Sequence, residues 1–536
     1  MRHVVLLLSA LLLTIPSALS QSRLTYKMPS AETSRMERAV KDYQKGRYRP
    51  STEELRKLAA LYPDNPDIYF YLGLNAVKRN FNVTGIRRYF PQVLKLNPNY
   101  PDAVAHYYVG LIHYTDMEYD KAEEDFKRYF EIANSSGTPE SDAIYMEASN
   151  YLYWSQFLAE AYRNLAPFDP HVVAGLSTPE EEAMPFITVD GQHCYLLRST
   201  SSASRTSYYS REMEEKRLQL YVCDRKDTLF GTGSLLKAPF NQGDPEGGVT
   251  LTADNRELYY PVIRRFRGYN NSDIYYFTCP DSNGWRPIVN AGENVNGADT
   301  WESQPSITPD GQWLYFASNR KGGLGGTDIW RCHRKADGTW GKAQNLGSAV
   351  NTPGNERCPF IHADGHTLYF SSNGWQGFGG YDMYFIDLDK QEQTKPINLG
   401  LPINTEEDDI AFGVTPDGTH AYYAGRTSGP DRMGGADVLM FDLYATARPE
   451  GMALRTMTIV GPDGKPLEGT IEVNHGSPSP ALYRADSQGR CTILLSTSKA
   501  NALTVAAPGH RSASLNLPPC NGNTTALPST ITLHKQ

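Results

Sequence analysis

One short pattern, met five times between residues 185 and 418, limits what this chain can fold into more than any other feature. The copies read PFITVDG at 185–191, VTLTADN at 249–255, PSITPDG at 305–311, PFIHADG at 359–365 and GVTPDG at 413–418. Each is followed by a tyrosine-bearing run such as WLYFAS at 313–318 or TLYFSS at 367–372. A strand led by aspartate then recurs, at Asp273, Asp328, Asp382 and Asp437, with spacings of 55, 54 and 55 residues. An Asp-Gly pair between two strands favours a tight hairpin, because glycine tolerates positive φ and aspartate bonds its own backbone. Asn-Leu-Gly at 345–347 and 398–400 marks a fourth element before the next unit opens. Four short strands make a small twisted sheet that cannot bury both faces alone, so such units must stack on one another.

The repeat is similar to that of TolB-type (WD40-like) β-propeller blades, and this resemblance implies a ring of sheets over 170–445. Five blades are expected; six would require a degenerate unit that the sequence does not show. The last unit lacks its own fourth element, whereas VAGLSTPE at 173–180 is similar to LGLPINTE at 399–406 and precedes the first unit. The segment near His171–Ser177 is therefore expected to supply the outer strand of the last sheet. Asn255 replaces the turn glycine in the second unit, and an insertion over Ser199–Lys216 enlarges the first.

The chain of 536 residues exceeds one ordinary domain of about 150 residues, so other domains flank the repeats. From about residue 31 to 166 apolar residues recur at three- and four-residue spacing, as in Ser51–Tyr62, Ile68–Lys78 and Tyr119–Ile132. LYPDNPD at 61–67 and LNPNYPD at 96–102 repeat 35 residues apart, each with an aspartate placed to help start a helix. Gly73 and Gly110, with Gly85 and Ala122 twelve residues after them, let paired helices approach closely. This resembles tetratricopeptide repeats, with a generic helical solenoid as the alternative. Beyond residue 452, strands at 456–460 and 470–473 flank the turn GPDGKPL at 461–467, with further turns at DSQG 486–489 and APGH 507–510. That order resembles carboxypeptidase-regulatory-like domains and implies a transthyretin-like β-sandwich over 452–536.

Arg2 and His3, an apolar run from Val4 to Leu13, then Pro16 and small residues to Ser20 read as a secretory signal over 1–20, cut before Gln21. The mature chain is expected to be exported, with no transmembrane segment. Net charge −8 argues against nucleic acid as a partner. Seven cysteines leave one unpaired. The pairings Cys194–Cys223 and Cys491–Cys520 are candidates, beside the reading that all are small buried hydrophobes. The chain has no HExxH, GxSxG or P-loop, so no enzyme activity is expected. His362 and His366 straddle the Asp364-Gly365 turn and are expected on the surface.

One constellation rises above scaffold. Eight residues before each turn aspartate stands a carboxylate: Glu182, Glu246, Glu302, Glu356 and Asp409. Arranged in a ring, they would raise one another's pKa values or recruit a cation such as calcium at a channel mouth. In the architectural alternative each accepts backbone hydrogen bonds from the neighbouring blade. The Gly-rich loops at 321–326 and 374–380 follow turn geometry rather than a phosphate cradle, and Trp375 and Phe378 are expected to be exposed and to meet a partner.

The three-part order resembles multidomain cell-envelope proteins of Bacteroidota, some associated with type IX secretion, that continue into an OmpA-like domain. This sequence stops where that domain would begin, which places direct peptidoglycan binding in doubt. The resemblance implies a periplasmic scaffold, peripherally associated with the outer membrane, with envelope or secretion-complex proteins as partners. A glycan- or peptidoglycan-binding protein is the first alternative, and a propeller hydrolase the second.

Overall fold

The structure, a computed structural model, describes residues 24–536 except 80, 203–214, 239, 242–246, 267–268, 280–283, 391, 393, 427–431 and 522–526. The expected signal segment over 1–20 lies outside the described residues. The chain divides into two compact units, Met1–Leu165 and Ala166–Gln536.

The first unit consists of antiparallel helices: α1 (Ser30–Gln44), α2 (Tyr48–Leu61), α3 (Pro66–Lys78), α4 (Val83–Leu96), α5 (Val104–Thr115), α6 (Tyr119–Ser135) and α7 (Ala143–Arg163). Small residues sit at the helix crossings, as the spacing requires. A Cβ placed on Gly73 would lie 2.8 Å from the Phe90 ring, and one on Gly110 would lie 2.9 Å from Phe126. Of the two repeated aspartates, Asp102 accepts from the Val104 amide at the start of α5. At the start of α3 that role falls to Asn65, which accepts from the Asp67 amide. Asp67 instead binds the Thr25 and Tyr26 amides and the Tyr100 hydroxyl, tying neighbouring segments together. No described helix is long and apolar enough to cross a membrane.

The second unit opens with five antiparallel sheets. The first comprises Glu182–Ile187, His193–Ser202 and Glu215–Lys226, with short outer strands Leu229–Phe230 and Ser234–Leu235. The second holds Thr250–Leu251, Glu257–Phe266, Tyr269–Thr278 and Val289–Asn290. The third holds Glu302–Ile307, Trp313–Ser318, Asp328–His333 and Gln344–Asn345. The fourth holds Glu356–Ile361, Thr367–Ser372, Asp382–Asp387 and Ile397–Asn398. The fifth holds Gly413–Val414, His420–Gly425 and Asp437–Asp442, and its outer strand is His171–Val172, with His171 opposite Met440.

At each hairpin the residue after the turn aspartate takes positive φ: Gly191 68°, Asn255 57°, Gly311 72°, Gly365 81° and Gly418 73°. Asparagine serves in the second copy because, apart from glycine, it is among the residues that tolerate this region best. Neighbouring sheets share further bonds. The Ile307 amide donates to Thr250 Oγ1 at 3.1 Å, Ile361 to Ser306 Oγ at 2.9 Å, and Ile187 to the Tyr422 hydroxyl at 3.2 Å. The last of these joins the first sheet to the fifth.

Beyond residue 452 lie a three-stranded sheet (Arg490–Ser496, Met452–Val460, Thr530–Thr532) and a four-stranded one (Ala481–Arg484, Thr470–Asn474, Asn501–Ala506, Ala513–Leu517). Their shared core includes Ile459, Ile471, Val473, Ile493 and Val505. It extends onto the hairpin turns of three of the five sheets. Ala253 belongs to it, and Val189 and Ala363 pack against it. The Leu482 amide donates to Asp310 at 2.9 Å and the Met452 amide to the Pro416 carbonyl at 2.8 Å.

Candidate functional site

Glu182, Glu302 and Glu356, three of the leading carboxylates, are buried and individually engaged. Glu182 accepts from the Thr178 amide and hydroxyl and from Arg198 Nε at 2.8 Å. Glu302 accepts from the Gly297 amide, the Thr300 and Ser318 hydroxyls and Arg320. Glu356 accepts from the Thr352 amide and the Thr352 and Ser372 hydroxyls. Asp409, only partly buried, repeats the motif with the Thr405 amide at 2.6 Å and hydroxyl at 3.0 Å. Glu246 lies outside the described residues. Each described carboxylate therefore fastens the loop that enters its own strand. Burial raises the pKa of Glu182 and Glu356 despite these bonds, and pushes Asp409 up to about 7.

The aspartates that lead the third strands work the same way. Asp328 accepts from the Leu324 and Gly325 amides, Asp382 from Phe378 and Gly379, and Asp437 from Met433 and Gly434. The Gly-rich loops thus wrap an anion, and that anion is the protein's own carboxylate. Burial pushes Asp382 up to about 6.

Sequence reasoning missed a further repeated group. The side-chain amides of Asn241, Asn296, Asn351 and Asn404 each pair with both the N–H and the C=O of a third-strand residue: Leu220, Ile274, Ile329 and Met383. In the fifth sheet Ser177 Oγ does so with Val438. The signal was present as Asn or Ser five or six residues before each leading carboxylate.

Inside the inner strands, register slips between Ala183 and Phe186, Ser303 and Ser306, and Arg357 and Phe360. Met184, Gln304 and Cys358 sit at these slips with positive φ, as does Ala411 just before the fifth inner strand. With Gly248 they line a small cavity of about 50 Å³ to which all five sheets contribute. Gln304 accepts there from the Cys358 amide. None of the described leading carboxylates lines it.

The expectation that His362 and His366 lie on the surface is corrected. His362 is fully buried, because it occupies the position that threonine holds in the other four turns. Its Nε2 lies 3.1 Å from the Thr415 carbonyl. His366 pairs with Asp387 at 3.0 Å and is partly buried. Although burial pushes Asp364 up, the adjoining His362 and His366 hold it well below the usual carboxylate range. Trp375 and Phe378 are likewise half-buried rather than exposed, and Trp375 Nε1 donates to the Val350 carbonyl.

No disulfide joins any of the seven cysteines in the structure. Cys194 stands directly opposite Cys223 across an antiparallel pair. Cys491 faces Met457 across its ladder, and Cys520 shares the same core. Burial pushes the Cys223 thiol up to about 11 and that of Cys194 well above its usual range. Among the described residues no group of three or more His, Cys, Asp or Glu side chains is arranged to hold a metal ion.

No family model matches the chain, and no curated protein matches it in sequence. Among solved structures it is similar to the type III secretion translocator chaperone SycD of Yersinia enterocolitica, at 15% identity over 25% of this chain and 90% of that one, with TM-score 0.21. It is also similar to the catalytic domain of the Coprinopsis cinerea GH62 alpha-L-arabinofuranosidase, at 13% identity over 52% of this chain and 94% of that one, with TM-score 0.30. A prolyl endopeptidase structure matches at 13% identity over 64% of this chain and 51% of that one, with TM-score 0.24. Likeness at these values transfers neither fold nor activity.

Proposed function

We propose that the chain is a non-enzymatic scaffold of the cell envelope. In this reading it is exported to the periplasm, is peripherally associated with the outer membrane, and binds other envelope or secretion-complex proteins. The five sheets are read as blades of a TolB-like propeller closed by His171–Val172, and residues 452–536 as a transthyretin-like sandwich docked on its turns. The helical unit is read as tetratricopeptide repeats that receive a partner.

One observation carries the reading. The last helix, α7, exposes Met146 and Tyr153, two turns apart on the side opposite its buried stripe of Ile144, Ala148, Tyr151, Ser155 and Ala159, whereas the end of a helical array is ordinarily capped by a polar face. Apolar side chains grouped this way mark a protein-contact surface. The engaged leading carboxylates support the non-enzymatic part, since a glycoside hydrolase needs two carboxyl groups free to reach a substrate.

A photo-crosslinking amino acid at position 153, introduced in cells, tests the proposal. Adducts with outer-membrane or secretion-complex proteins are expected. Intact, exported protein that yields no adduct at 146 or 153 would reject the scaffold reading. A sacculus pull-down and a glycan array address the peptidoglycan and glycan alternative, for which no retention is expected.

A further inference from the structure

A cavity of about 380 Å³ opens where the turns of the second and third sheets meet the C-terminal sheets. Four guanidinium groups line it: Arg256, Arg286, Arg334 and Arg484. Two are already engaged. Arg256 reaches Asp486 at 2.6 Å, and Arg334 binds Glu257 at 3.0 Å and the Tyr259 hydroxyl at 2.7 Å. The lining acids are engaged as well. Asp254 accepts from the Thr252 hydroxyl and the Arg256 amide, and Asp310 from the Thr308 hydroxyl and the Leu482 amide. Arg286 and Arg484 are different. Both are exposed, they come from separate parts of the unit, and neither is paired with a carboxylate among the described residues.

We propose that this cleft binds a small carboxylate- or phosphate-bearing ligand, about the size of one sugar ring, held between Arg286 and Arg484. A guanidinium presents a planar fork of donors that matches either anion in bidentate fashion. With the lining acids occupied, the charge left to meet a ligand is positive. Thr278 and Thr492 add hydroxyls to the lining, which suits a ligand carrying its own hydroxyl groups. The volume falls at the lower end of the range for small-molecule sites, about 300–1,000 Å³. The site is composite, because Arg484 reaches it only while the C-terminal sheets rest on the turns. It does not depend on the scaffold reading.

Calorimetric titration of the full chain at low ionic strength tests this with three probes: glucuronate, glucose 6-phosphate and glucose. Binding of at least one charged sugar but not of glucose is expected, weakening as salt is added. Which charged sugar binds distinguishes the carboxylate from the phosphate source. The double variant R286E/R484E should lose at least about tenfold in affinity, because both charge-assisted bonds are removed and replaced by like charges. Arg511→Glu, a charge reversal on an exposed residue that does not line the cleft, should leave affinity unchanged. An unaltered melting curve for the double variant confirms that it folds. No heat from either charged sugar at millimolar concentration, equal binding of glucose, or full affinity in the double variant would each overturn the proposal.

Discussion

The helical unit and the five sheets solve the same problem, repeating a short element, by opposite means. Helices satisfy their backbone internally, so neighbouring helices meet through shape: Gly73 against the Phe90 ring, Gly110 against Phe126, Gly85 against Ala76. A sheet of four short strands leaves loop amides and strand-edge groups unpaired, and buried unpaired groups are costly. The sheets fill them with side chains at fixed positions, namely the leading carboxylate, the third-strand aspartate and the clamping asparagine. Packing tolerates many residue pairs of suitable size. A polar lock tolerates few.

That contrast can be broken most sharply at Glu302. Glu302→Leu leaves the Gly297 amide and the Arg320 guanidinium without their buried partner, and should cost about 3–5 kcal/mol in the urea unfolding of the sheet unit. Glu356→Leu, which has hydroxyl and amide partners but no arginine, should cost less, about 2–3 kcal/mol. Equal losses at the two positions would show that the charge pair adds nothing to the lock.

Next in size is Asn351→Leu. It strands the N–H of Ile329 and leaves its C=O with only the Leu346 amide, and a loss of about 2 kcal/mol is expected by the same measurement. The matching test in the helices is Gly73→Ala. The added methyl meets the Phe90 ring at 2.8 Å, and overpacking of this kind costs about 1–3 kcal/mol. Phe90→Leu in the same chain should return part of the loss, because a flexible side chain can move aside. No comparable second-site rescue is expected for Asn351→Leu, since a backbone donor and acceptor cannot be made smaller.

The same contrast explains what could be read in advance. Polar geometry repeats its residues, so the Asp-Gly turns, the third-strand aspartates and the outer strand His171–Val172 of the fifth sheet stood out in the sequence. Each leading carboxylate was legible as a position, and backbone hydrogen bonding as one of its two readings, but the loop it fastens was not, because its partners Thr178, Thr300, Thr352 and Thr405 are ordinary loop residues. The clamping asparagines went unread for a related reason. Their partners are backbone groups, which leave no trace in composition. His362 was misjudged because a turn is usually exposed, whereas this one lies near the C-terminal sheets, with the Glu450 amide bonded to Asp364. The slips at Met184, Gln304 and Cys358 place three unlike residues at positive φ, so no single residue type could announce them.

The smallest effect separates two kinds of lock within the sheet unit by pH. Asp409 has a folded pKa of about 7, raised chiefly by burial, against an ordinary value of 3.8. Between these values the folded chain holds a proton that the unfolded chain has released, so this group makes stability fall as pH rises from about 4 to about 7. Asp486 acts with the opposite sign. Burial raises it, but hydrogen bonds from Arg256 and Arg490 bring it down to about 2, so its contribution is present above the ordinary value and is lost as pH falls toward 2. Because Thr405 beside Asp409 is exposed and water screens the site, Asp409→Asn should change stability at pH 7 relative to pH 4 by only about 1–2 kcal/mol. Thermal unfolding of wild type and variant across that interval measures it. A variant whose pH dependence parallels wild type would mean that Asp409 is ionised throughout, its charge held by the Thr405 amide and hydroxyl as firmly as in water.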